Sequence, residues 1–579
     1  MQFLRRLAPF ADARPRLFLV LLCLVLWLPG FFTLPPTDRD ESRFAQATKQ
    51  MLETGDFVRI MNGTEPRNRK PIGIHWLQAP FAAAARATGI AHANPIWPYR
   101  LPSLLGGIAA VLATHAAALL LFANRRAALQ AGAMLAGCVL LTVEAHIAKT
   151  DAALLGVTTL VMTVLARAWT GLKLNRATAA LFWLALGAGV LLKGPISPMV
   201  AGLTALTLVL TSRRAAWLKP LRPAWGVPLL LLVSAPWFIA IGLATHGAFF
   251  RDAVGGDLGR KLASGEESHG GLPGLHALLL PLLVFPATVP VIAGLAGAWC
   301  RRAEPAIHFL LAWLIPSWLV FELTPTKLPH YTLPLYPALI LLAAGWLHRR
   351  APGKDRILPL AHAALAAAAL CIALGALLLP AAVTDSVLAE ATTPAVPPGG
   401  ARHAFGIACA LLTTAISDDT LLWLPACLLA ALVLALAWRR HLAASLAASA
   451  LLYAAILQWE LPSLSPLWMA PRAVAALRAH WPAYNALGNG LIADGYAEPS
   501  LMFLAGTNTI LLARGEGGAQ ALAARPGGAA LVERHVLPAF QAEAARLNLA
   551  VSPVVTIPGY NYSHDRAVGL TLFVNGAAK

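Results

Sequence analysis

The sequence contains few charged residues for its length. Asp, Glu, Lys and Arg make up 12% of the 579 residues, whereas about a quarter is typical of soluble domains. Hydrophobic residues account for 58%, and the mean hydropathy is +0.65. A water-soluble protein is excluded, because too little polar surface is available to cover separate globular domains. The composition predicts a polytopic α-helical membrane protein.

Cysteine is also scarce, with six residues in the chain. All lie within or at the edge of apolar segments, and none has the spacing of metal ligands: Cys23, Cys138, Cys300, Cys371, Cys409 and Cys427. No disulfide framework is indicated, and these residues are expected to pack as small apolar side chains. The 45 Gly and 43 Pro follow no repeat period, which excludes collagen-like and low-complexity chains.

Acidic residues are outnumbered by basic ones, 27 to 45, which gives a formal charge of +18. In a soluble protein this excess would suggest nucleic acid as a partner. In a membrane protein, Lys and Arg gather in the cytoplasmic loops that orient the spans, and a basic site can bind a phosphorylated lipid. Both explanations are expected to apply here, and no nucleic acid partner is predicted.

Basic clusters separate the apolar runs at regular intervals. A hydrocarbon core of about 30 Å needs about twenty apolar residues per helix, and threading the chain through these clusters predicts about thirteen spans. The first, residues 17–34, lacks a small-residue cleavage site, so a retained span is expected rather than a signal peptide. The protein is predicted to lie in the bacterial inner membrane, with its N-terminus cytoplasmic and its C-terminal tail periplasmic.

These spans predict two domains: a transmembrane domain, residues 1–463, and a periplasmic α/β domain, residues 464–579. In the second, strand-length apolar runs alternate with amphipathic helical stretches. Three outer segments of the first domain are too long for simple turns, about 35–100, 245–272 and 381–421.

The outer segment 35–100 contains two predicted amphipathic helices. Residues 40–54 place apolar side chains at helical spacing, and Gly55 is suited to end the helix. A second helix is predicted to open at Pro71. Both are expected to lie flat on the outer leaflet of the membrane.

Ionisable residues in the apolar part of the chain gather at the predicted outer ends of spans. They are Glu144, His146, Lys149, Asp151, Lys193, Glu322, Lys327 and His330. A channel or proton-coupled carrier would place such groups near the midplane of several helices, where only His115 is predicted. The layer instead predicts an outer cavity in which a charged head group meets apolar walls. Its cations would hold a phosphate leaving group, and a carboxylate would handle the attacking group.

Two motifs in the first outer segment are candidates for this site. Asp40 and Glu41 head the first helix, whose N-terminus stabilises carboxylates; an ordinary helix cap with a local ion pair is the alternative. The basic stretch 67–70, with Arg69 and Lys70, precedes the second helix, so its cations and the helix amides could converge on a phosphate. A cluster that anchors lipid headgroups is the alternative there.

Three further motifs occupy outer ends of spans. They contain Lys149 and Asp151, then Lys193, then Lys327, His330 and Tyr331. The alternative for Lys149 and Asp151 is a turn that only holds two spans together. The alternative for Lys193 is a side chain that extends to the lipid headgroups. The third combines a lysine, a histidine and a tyrosine hydroxyl on a proline-stiffened backbone, which is more than an anchor needs, so a function is favoured.

The 245–272 segment combines several glycines with charged residues that include Arg260. This composition is typical of a mobile lid over a site. Two histidines with acidic neighbours could hold a divalent ion, but their spacing matches no defined metal pattern. A solvated loop is therefore preferred, and no metal ligands are predicted.

As a set, these motifs resemble the membrane glycosyltransferases of the C fold (GT-C), in particular the aminoarabinose (lipid A) transferase family, glycosyltransferase family 83. The resemblance rests on Asp40-Glu41-Ser-Arg-Phe, Gly55-Asp-Phe-Val, Lys70-Pro, Lys149-Thr-Asp151, Lys193-Gly-Pro and Lys327-Leu-Pro-His-Tyr331, in the family's order. It covers essentially the whole chain. Each motif is weak singly, and the set is specific.

The resemblance implies an inverting transfer of a sugar such as aminoarabinose from undecaprenyl or another polyprenyl phosphate to lipid A or the lipopolysaccharide core. It implies Asp40 as the catalytic carboxylate, Asp151 as a second acidic position, and Lys70, Tyr331 and the lid residue Arg260 as ligands of the departing phosphate. No cofactor is implied to be required. A lipid-linked donor also agrees with the lack of a glycine-rich nucleotide motif.

The complete candidate set is Asp40, Asp151 and Glu41 for catalysis, and Lys70, Arg260, Tyr331, Lys193, Lys327, His330 and Arg69 for the phosphate-linked donor. Arg69 stands where many relatives carry an acidic or aromatic residue, which favours an anionic sugar such as a uronic acid. The lipopolysaccharide galacturonosyltransferases, which this chain also resembles, are one such alternative.

Other functions stay open from the sequence. Transfer to protein hydroxyls is one, and it needs a general base at Asp40 because a serine oxygen begins protonated. A flippase for the lipid-linked sugar and an assembly scaffold are the non-enzymatic alternatives.

Overall fold

The structure is a computed structural model that describes residues 9–89, 94–258, 271–349, 356–392, 423–439, 441–481, 490–513, 517–525 and 527–575. Its α-helices of six or more residues are α1 Pro15–Trp27, α2 Asp40–Thr54, α3 Gly73–Ala87, α4 Trp97–Phe122, α5 Arg125–Gly137, α6 Val139–Ala145, α7 Asp151–Trp169, α8 Arg176–Lys193, α9 Ile196–Ser212, α10 Pro223–Ala244, α11 Leu275–Leu283, α12 Thr288–Ala298, α13 Pro305–Leu323, α14 Tyr336–Arg349, α15 Leu358–Thr392, α16 Leu424–Trp438, α17 Leu442–Ala454, α18 Met469–His480, α19 Pro499–Ala505, α20 Gly518–Ala523 and α21 Leu537–Arg546. Four further helical segments of six or more residues are of the 3-10 or π type: Ala216–Leu221, Arg251–Leu258, Pro329–Leu335 and Ala455–Glu460.

Most of these helices are apolar enough to lie in a membrane. Within the described residues, eight helical segments are long and apolar enough to cross it, or nine if α5 and α6, which meet at a bend of 63°, form one broken span. The helices α1, α9 and α16 are apolar but shorter. The predicted multi-pass membrane protein is confirmed, and the count of about thirteen spans stays a prediction.

Close packing of α4 against α7 fixes one wall of the outer face. A Cβ on Gly106 would lie 2.4 Å from the Cα of Ala153, and one on Gly156 would lie 2.5 Å from the carbonyl oxygen of Gly106. Small residues let membrane helices approach this closely. Ser103 of α4 then donates a hydrogen bond of 2.7 Å to the carbonyl of Ile147. The turn 146–150, which leads into α7, is thereby held against the start of α4.

Both helices predicted for the first outer segment are present, and α2 ends at Gly55, which adopts a φ of 72°. α2 does not lie flat on lipid, because its polar face is buried as well as its apolar one. On one side, Thr48 donates a hydrogen bond of 2.7 Å to Gln78 of α3. On the other, Lys49 donates one of 3.1 Å to the carbonyl of Phe503 in the C-terminal domain. Protein therefore encloses the helix that begins with Asp40.

Two small strands, β1 Met61–Asn62 and β2 Glu65–Pro66, form a hairpin between α2 and α3. The C-terminal domain contains β3 Ile492–Asp494, β4 Ile510–Leu512, β5 Ala529–Glu533, β6 Val551–Asn561 and β7 Arg566–Asn575.

The five strands of the C-terminal domain form one sheet in the order β4-β3-β5-β7-β6. β3 pairs in parallel with β4 and β5, whereas β7 is antiparallel to both β5 and β6. β3 and β5 are buried along their whole length, as central strands covered on both faces should be. The predicted C-terminal α/β domain is confirmed, and its boundary at residues 463/464 stays a prediction.

The C-terminal domain docks on the residues just before α2. Ser500, in α19, donates a hydrogen bond to Oδ1 of Asp38. The backbone N–H of Asp38 donates one of 2.5 Å to the hydroxyl of Tyr562, which lies in the β6–β7 turn. The guanidinium of Arg39 donates to the carbonyl of Ser563 in the same turn. The contact therefore joins two separate elements of the sheet domain to one short stretch of the first outer segment.

Asp38 makes this contact sensitive to pH. Burial raises the pKa of Asp38 to about 7, and the nearby carboxylate of Glu498 adds to the rise, while the hydrogen bond from Ser500 opposes it. Because this pKa lies above the ordinary value of 3.8, the folded state holds a proton that the unfolded chain releases. The stabilisation from that proton is complete below about pH 4 and is lost as the pH rises through about 7.

We predict that Asp38→Asn flattens the pH dependence of stability. The thermal midpoint of the detergent-solubilised protein should fall more steeply in the wild type than in the variant between about pH 4 and pH 7. Asp56→Asn is the matched control, since Asp56 is a 39% exposed turn residue in the same segment, and it should keep the wild-type slope. Parallel slopes for the wild type and Asp38→Asn would contradict the prediction.

Candidate active site

A cavity of about 490 Å³ opens between the first outer segment, the 146–150 turn and the 326–331 segment. Its charged lining is mainly cationic: Arg39, Arg43, Arg67, Arg69, Lys70 and Lys149, with Asp38, Asp40, Glu41 and Glu65 as the acids. Six predicted site residues line it: Asp40, Glu41, Arg69, Lys70, His330 and Tyr331. The fold thus brings motifs from three distant parts of the chain around one space.

Asp40 presents a carboxylate to this cavity. It is the first residue of α2, its side chain is 43% exposed, and its Oδ1 lies 3.2 Å from a guanidinium nitrogen of Arg67. Enclosure by the protein alone would raise the pKa of Asp40, but Lys70, Arg67 and Lys149 outweigh this effect and hold the pKa well below its usual range. Asp40 is therefore ionised at neutral pH. It does not act as a helix cap, since its helix has no side-chain cap hydrogen bond.

Arg67 is held in place beside Asp40 by an aromatic ring. Its guanidinium carbon lies 4.4 Å from the centroid of the Phe44 ring, one turn along α2 from Asp40. Cations stack favourably on aromatic faces, and the Arg67 side chain is 11% exposed. Arg67 and Asp40 therefore form a fixed pair on the cavity wall.

Glu41, the next residue, is turned into the protein. Its carboxylate accepts two hydrogen bonds from Arg100, of 2.8 and 3.1 Å, and further ones from the backbone N–H groups of Thr37 and Ala148. Arg100 also donates to the carbonyl of Leu34 at 2.9 Å. Burial would raise the pKa of Glu41, but Arg100 overcomes it and lowers the pKa. With both oxygens engaged and the side chain unexposed, Glu41 positions the segment, and the geometry gives no support to its predicted catalytic role.

Asp151 belongs to a buried charge network behind the cavity lining. Its Oδ1 pairs with Lys193, and its Oδ2 lies 3.7 Å from Nζ of Lys149. The same Lys149 ammonium lies 2.9 Å from Glu144 and 3.3 Å from Nδ1 of His330. The Asp151 and Glu144 side chains are 6% and 3% exposed. Two carboxylates and two lysines therefore neutralise each other, and Asp151 supports the lining rather than forming it.

Lys193 likewise acts on the cavity through a neighbour. Its Nζ lies 5.3 Å from the centroid of the Tyr331 ring, which His330 also contacts edge-on. Tyr331 and His330 line the cavity, whereas Lys193 lies behind them. The sequence predicts that Lys193 contacts the lipid-linked sugar donor directly. In the structure it instead contacts the ring of Tyr331, which lines the cavity.

Lys327 does not reach the cavity, contrary to its predicted contact with the donor. Its ammonium donates to carbonyls at the end of α13, at 2.5 Å to Thr324 and 3.4 Å to Phe321, and its side chain is 2% exposed. The last carbonyls of a helix lack partners within the helix, and a cation is favourable there. Lys327 caps α13 and so shapes the turn that carries His330.

Lys70 and Arg69 both line the cavity at the end of the basic stretch, close to where α3 begins. Lys70 is the cation that lowers the pKa of Asp40 most strongly. Arg260, predicted to come from the lid, lies outside the described residues. In the described part of the chain, no three His, Cys, Asp or Glu side chains gather so that they could hold a metal ion, and the reaction without a cofactor stays a prediction.

The sequence does not predict the two arginines that pair with Asp40 and Glu41. Arg67 lies in the predicted basic stretch, but the sequence gives no sign that it pairs with Asp40 rather than with a ligand. Arg100 lies at the start of a span, where an arginine ordinarily marks the membrane interface. Its buried pairing with Glu41 has no sequence signal.

Comparison with known proteins finds transferases that are similar to this chain in sequence and in fold. No family model matches the chain. A curated relative, the undecaprenyl phosphate-alpha-4-amino-4-deoxy-L-arabinose arabinosyl transferase of Pectobacterium carotovorum, is 27% identical over 357 residues, which cover 59% of this chain and 60% of that protein. The chain therefore spans about 60% of the length of the curated relatives it matches.

Two crystal structures of ArnT from Cupriavidus metallidurans superpose over nearly the whole chain, one in the apo state and one bound to undecaprenyl phosphate. Each has a TM-score of 0.70 and covers 97% of this chain and 98% of the ArnT chain, at 20% and 19% identity. The chain has the fold of ArnT. The predicted GT-C fold and the resemblance to aminoarabinose transferases are confirmed.

We predict that the Glu41–Arg100 pair is essential for stability. Glu41→Ala leaves the Arg100 guanidinium buried without its counter-ion, which should cost about 3–5 kcal/mol and lower the thermal midpoint followed by fluorescence-detected gel filtration. Glu304→Ala is the control, because it breaks an ion pair with Arg301 whose side chains are 38% and 25% exposed, and such pairs contribute about 0–1 kcal/mol. Equal midpoints for the two variants would contradict the assignment.

Proposed function

We propose that the chain is an inverting glycosyltransferase that moves a sugar of the aminoarabinose type from undecaprenyl phosphate to lipid A or the lipopolysaccharide core. The reaction would take place at the periplasmic face of the inner membrane, with the N-terminus in the cytoplasm. The observation that carries the proposal is the ionised carboxylate of Asp40, which faces a cavity lined mainly by cations. The fold of ArnT and the arabinosyl transferase relatives support it.

The cations of the cavity suit the leaving group. When the bond between the anomeric carbon and the donor phosphate breaks, the lipid phosphate keeps the electron pair and gains a negative charge. Fixed cations aimed at a charge that develops in the transition state lower the barrier most effectively. Lys70, Arg69 and Arg67 line the cavity in which that charge would form, and Tyr331 lines the same cavity.

The Asp40 carboxylate suits the positive charge that develops on the sugar. The sugar ring acquires positive charge as its bond to the phosphate breaks, and an ionised carboxylate stabilises such a charge. The acceptor oxygen attacks the face opposite the departing phosphate and forms the new bond, which inverts the anomeric configuration. No redox step is involved, so this chain's own residues suffice for the charges that develop.

The low pKa of Asp40 also bears on the acceptor. A carboxylate whose pKa lies well below its usual range is a weak general base. A protein or sugar hydroxyl must lose a proton on attack, whereas a phosphate oxygen of lipid A is already ionised. The electrostatics of Asp40 therefore favour a phosphate acceptor over a hydroxyl acceptor.

We predict that Asp40→Asn abolishes transfer but leaves the protein folded. Purified protein with labelled undecaprenyl-phosphate sugar and lipid A should lose about 10²–10³-fold in rate, the range for removal of one group that stabilises charge in the transition state. Asp56→Asn makes the same chemical change in an exposed turn and should retain full activity. An active Asp40→Asn would refute the catalytic role. Unmodified lipid A from the wild type, with the labelled lipid still moved across vesicles, would favour a flippase.

Lys70→Ala should mainly weaken the handling of the donor phosphate. Loss of a charge-assisted contact to a phosphate costs about 1.5–3 kcal/mol, so binding of undecaprenyl phosphate should weaken by about 10–100-fold. Tryptophan-fluorescence titration with undecaprenyl phosphate measures it. Arg59→Ala, which removes a 54% exposed cation from the same segment, is the control. Unchanged affinity in Lys70→Ala would contradict a donor-binding role.

A further inference from the structure

The residue before Asp40 has an unusual backbone conformation. Arg39 adopts a φ of 60° and a ψ of −115°, a combination that side chains other than glycine rarely accept. Such residues persist only where the surrounding structure holds them, and they concentrate at functional sites. Because Arg39 is joined directly to Asp40, its conformation sets the direction in which α2, and with it the Asp40 carboxylate, leaves the chain.

Contacts on both sides hold this strained peptide. On the membrane side, the backbone N–H and the hydroxyl of Thr37 donate to Oε2 of Glu41 at 2.8 and 2.9 Å. A second set of contacts comes from the C-terminal domain. The Ser500 hydroxyl donates a hydrogen bond to the Asp38 carboxyl group, and the Tyr562 hydroxyl accepts one from the Asp38 backbone N–H. Residues from two distant parts of the chain therefore contact the peptide.

The C-terminal domain reaches this peptide without entering the cavity. Of the described residues that line the cavity, none belongs to the sheet domain, and the last of them along the chain is Tyr331. Ser500 and Asp38 are both buried, so their hydrogen bond is protected from water and holds one geometry. The described residues of the domain are therefore in a position to orient Asp40, and they do not line the space in which substrates would bind.

We propose that the C-terminal sheet domain is a positioning element of the reaction site. Through Ser500 and Tyr562 it fixes Asp38, keeps Arg39 in its strained conformation and so aims Asp40 at the sugar. The proposal rests on the proposed transfer reaction. It assigns the domain a part in the chemical step and not in donor affinity.

Ser500→Ala and Tyr562→Phe test this assignment, since each removes one hydroxyl and little volume. With labelled donor and lipid A, we expect kcat to fall by about 10–100-fold, the scale on which a small misplacement of a catalytic group acts. The affinity for undecaprenyl phosphate should stay at the wild-type value. Ser500→Thr retains a hydroxyl and should restore most of the rate.

Thr507→Ala is the matched control. Thr507 also bridges the two domains, accepting a hydrogen bond of 2.9 Å from Gln46 and donating one of 2.6 Å to Glu53, but these partners lie further along α2 from Asp40. It should leave kcat unchanged. A loss equal to that of Ser500→Ala would show that any weakening of the domain contact is enough, and the specific assignment would be overturned. Full kcat in both Ser500→Ala and Tyr562→Phe would overturn it too.

Hydrogen exchange separates failure of this inference from failure of the proposed function. In the protein without substrates, the amides of residues 37–44 should exchange at least several-fold faster in Ser500→Ala and Tyr562→Phe than in Thr507→Ala. If the wild type transfers no sugar, this difference still tests the positioning contact. Equal exchange in all three variants would refute it.

Discussion

The buried ion pair between Glu41 and Arg100 is the constraint on which the site depends. Arg100 lies at the start of the membrane helix α4, and Glu41 lies in the first turn of α2, so the pair fastens the outer segment to the helix bundle. Arg100 also binds carbonyls of the chain that leads from α1. A buried charge pair is rarely a net gain over apolar packing, but it accepts one geometry and penalises others. Since Asp40 precedes Glu41 in the chain, that geometry also restricts where the Asp40 carboxylate lies.

The sequence could predict the site as a layer because of how membranes treat charge. Ionisable residues avoid the hydrocarbon, so those in apolar runs mark the ends of helices, and motifs on the same side must share one surface. Asp40, Lys70 and Tyr331 are far apart in the chain, yet this argument places them together, and they line one cavity in the structure. The same argument does not predict the direction in which each side chain points. Lys327 and Lys193 lie at the predicted depth, but one turns toward helix carbonyls and the other toward Asp151.

The sequence could not predict how the C-terminal domain packs on the first outer segment. The polar face of α2 carries Lys49 and Gln46, which suggests solvent or headgroups, and only the structure shows α19 packed on it. In the sheet, β6 has no regular strand pattern in its sequence, because Pro553, Pro558 and Gly559 interrupt the apolar alternation. It is an edge strand, where missing N–H donors are tolerated, and its register shifts between Pro553 and Val555. These outcomes depend on partners remote in sequence, which local periodicity does not encode.

The charged residues of the site form two layers with different roles. The inner layer lies behind the cavity lining, and the outer layer belongs to the lining itself. In the inner layer, Glu144 and Asp151 pair with Lys149 and Lys193, and the two lysines contact His330 and Tyr331. In the outer layer, the cations of the first outer segment exceed the acids. The excess positive charge of the cavity lining therefore comes mainly from residues 39–70. The same segment carries Asp40, so one short stretch of chain supplies both the Asp40 carboxylate and most of the cations that surround it.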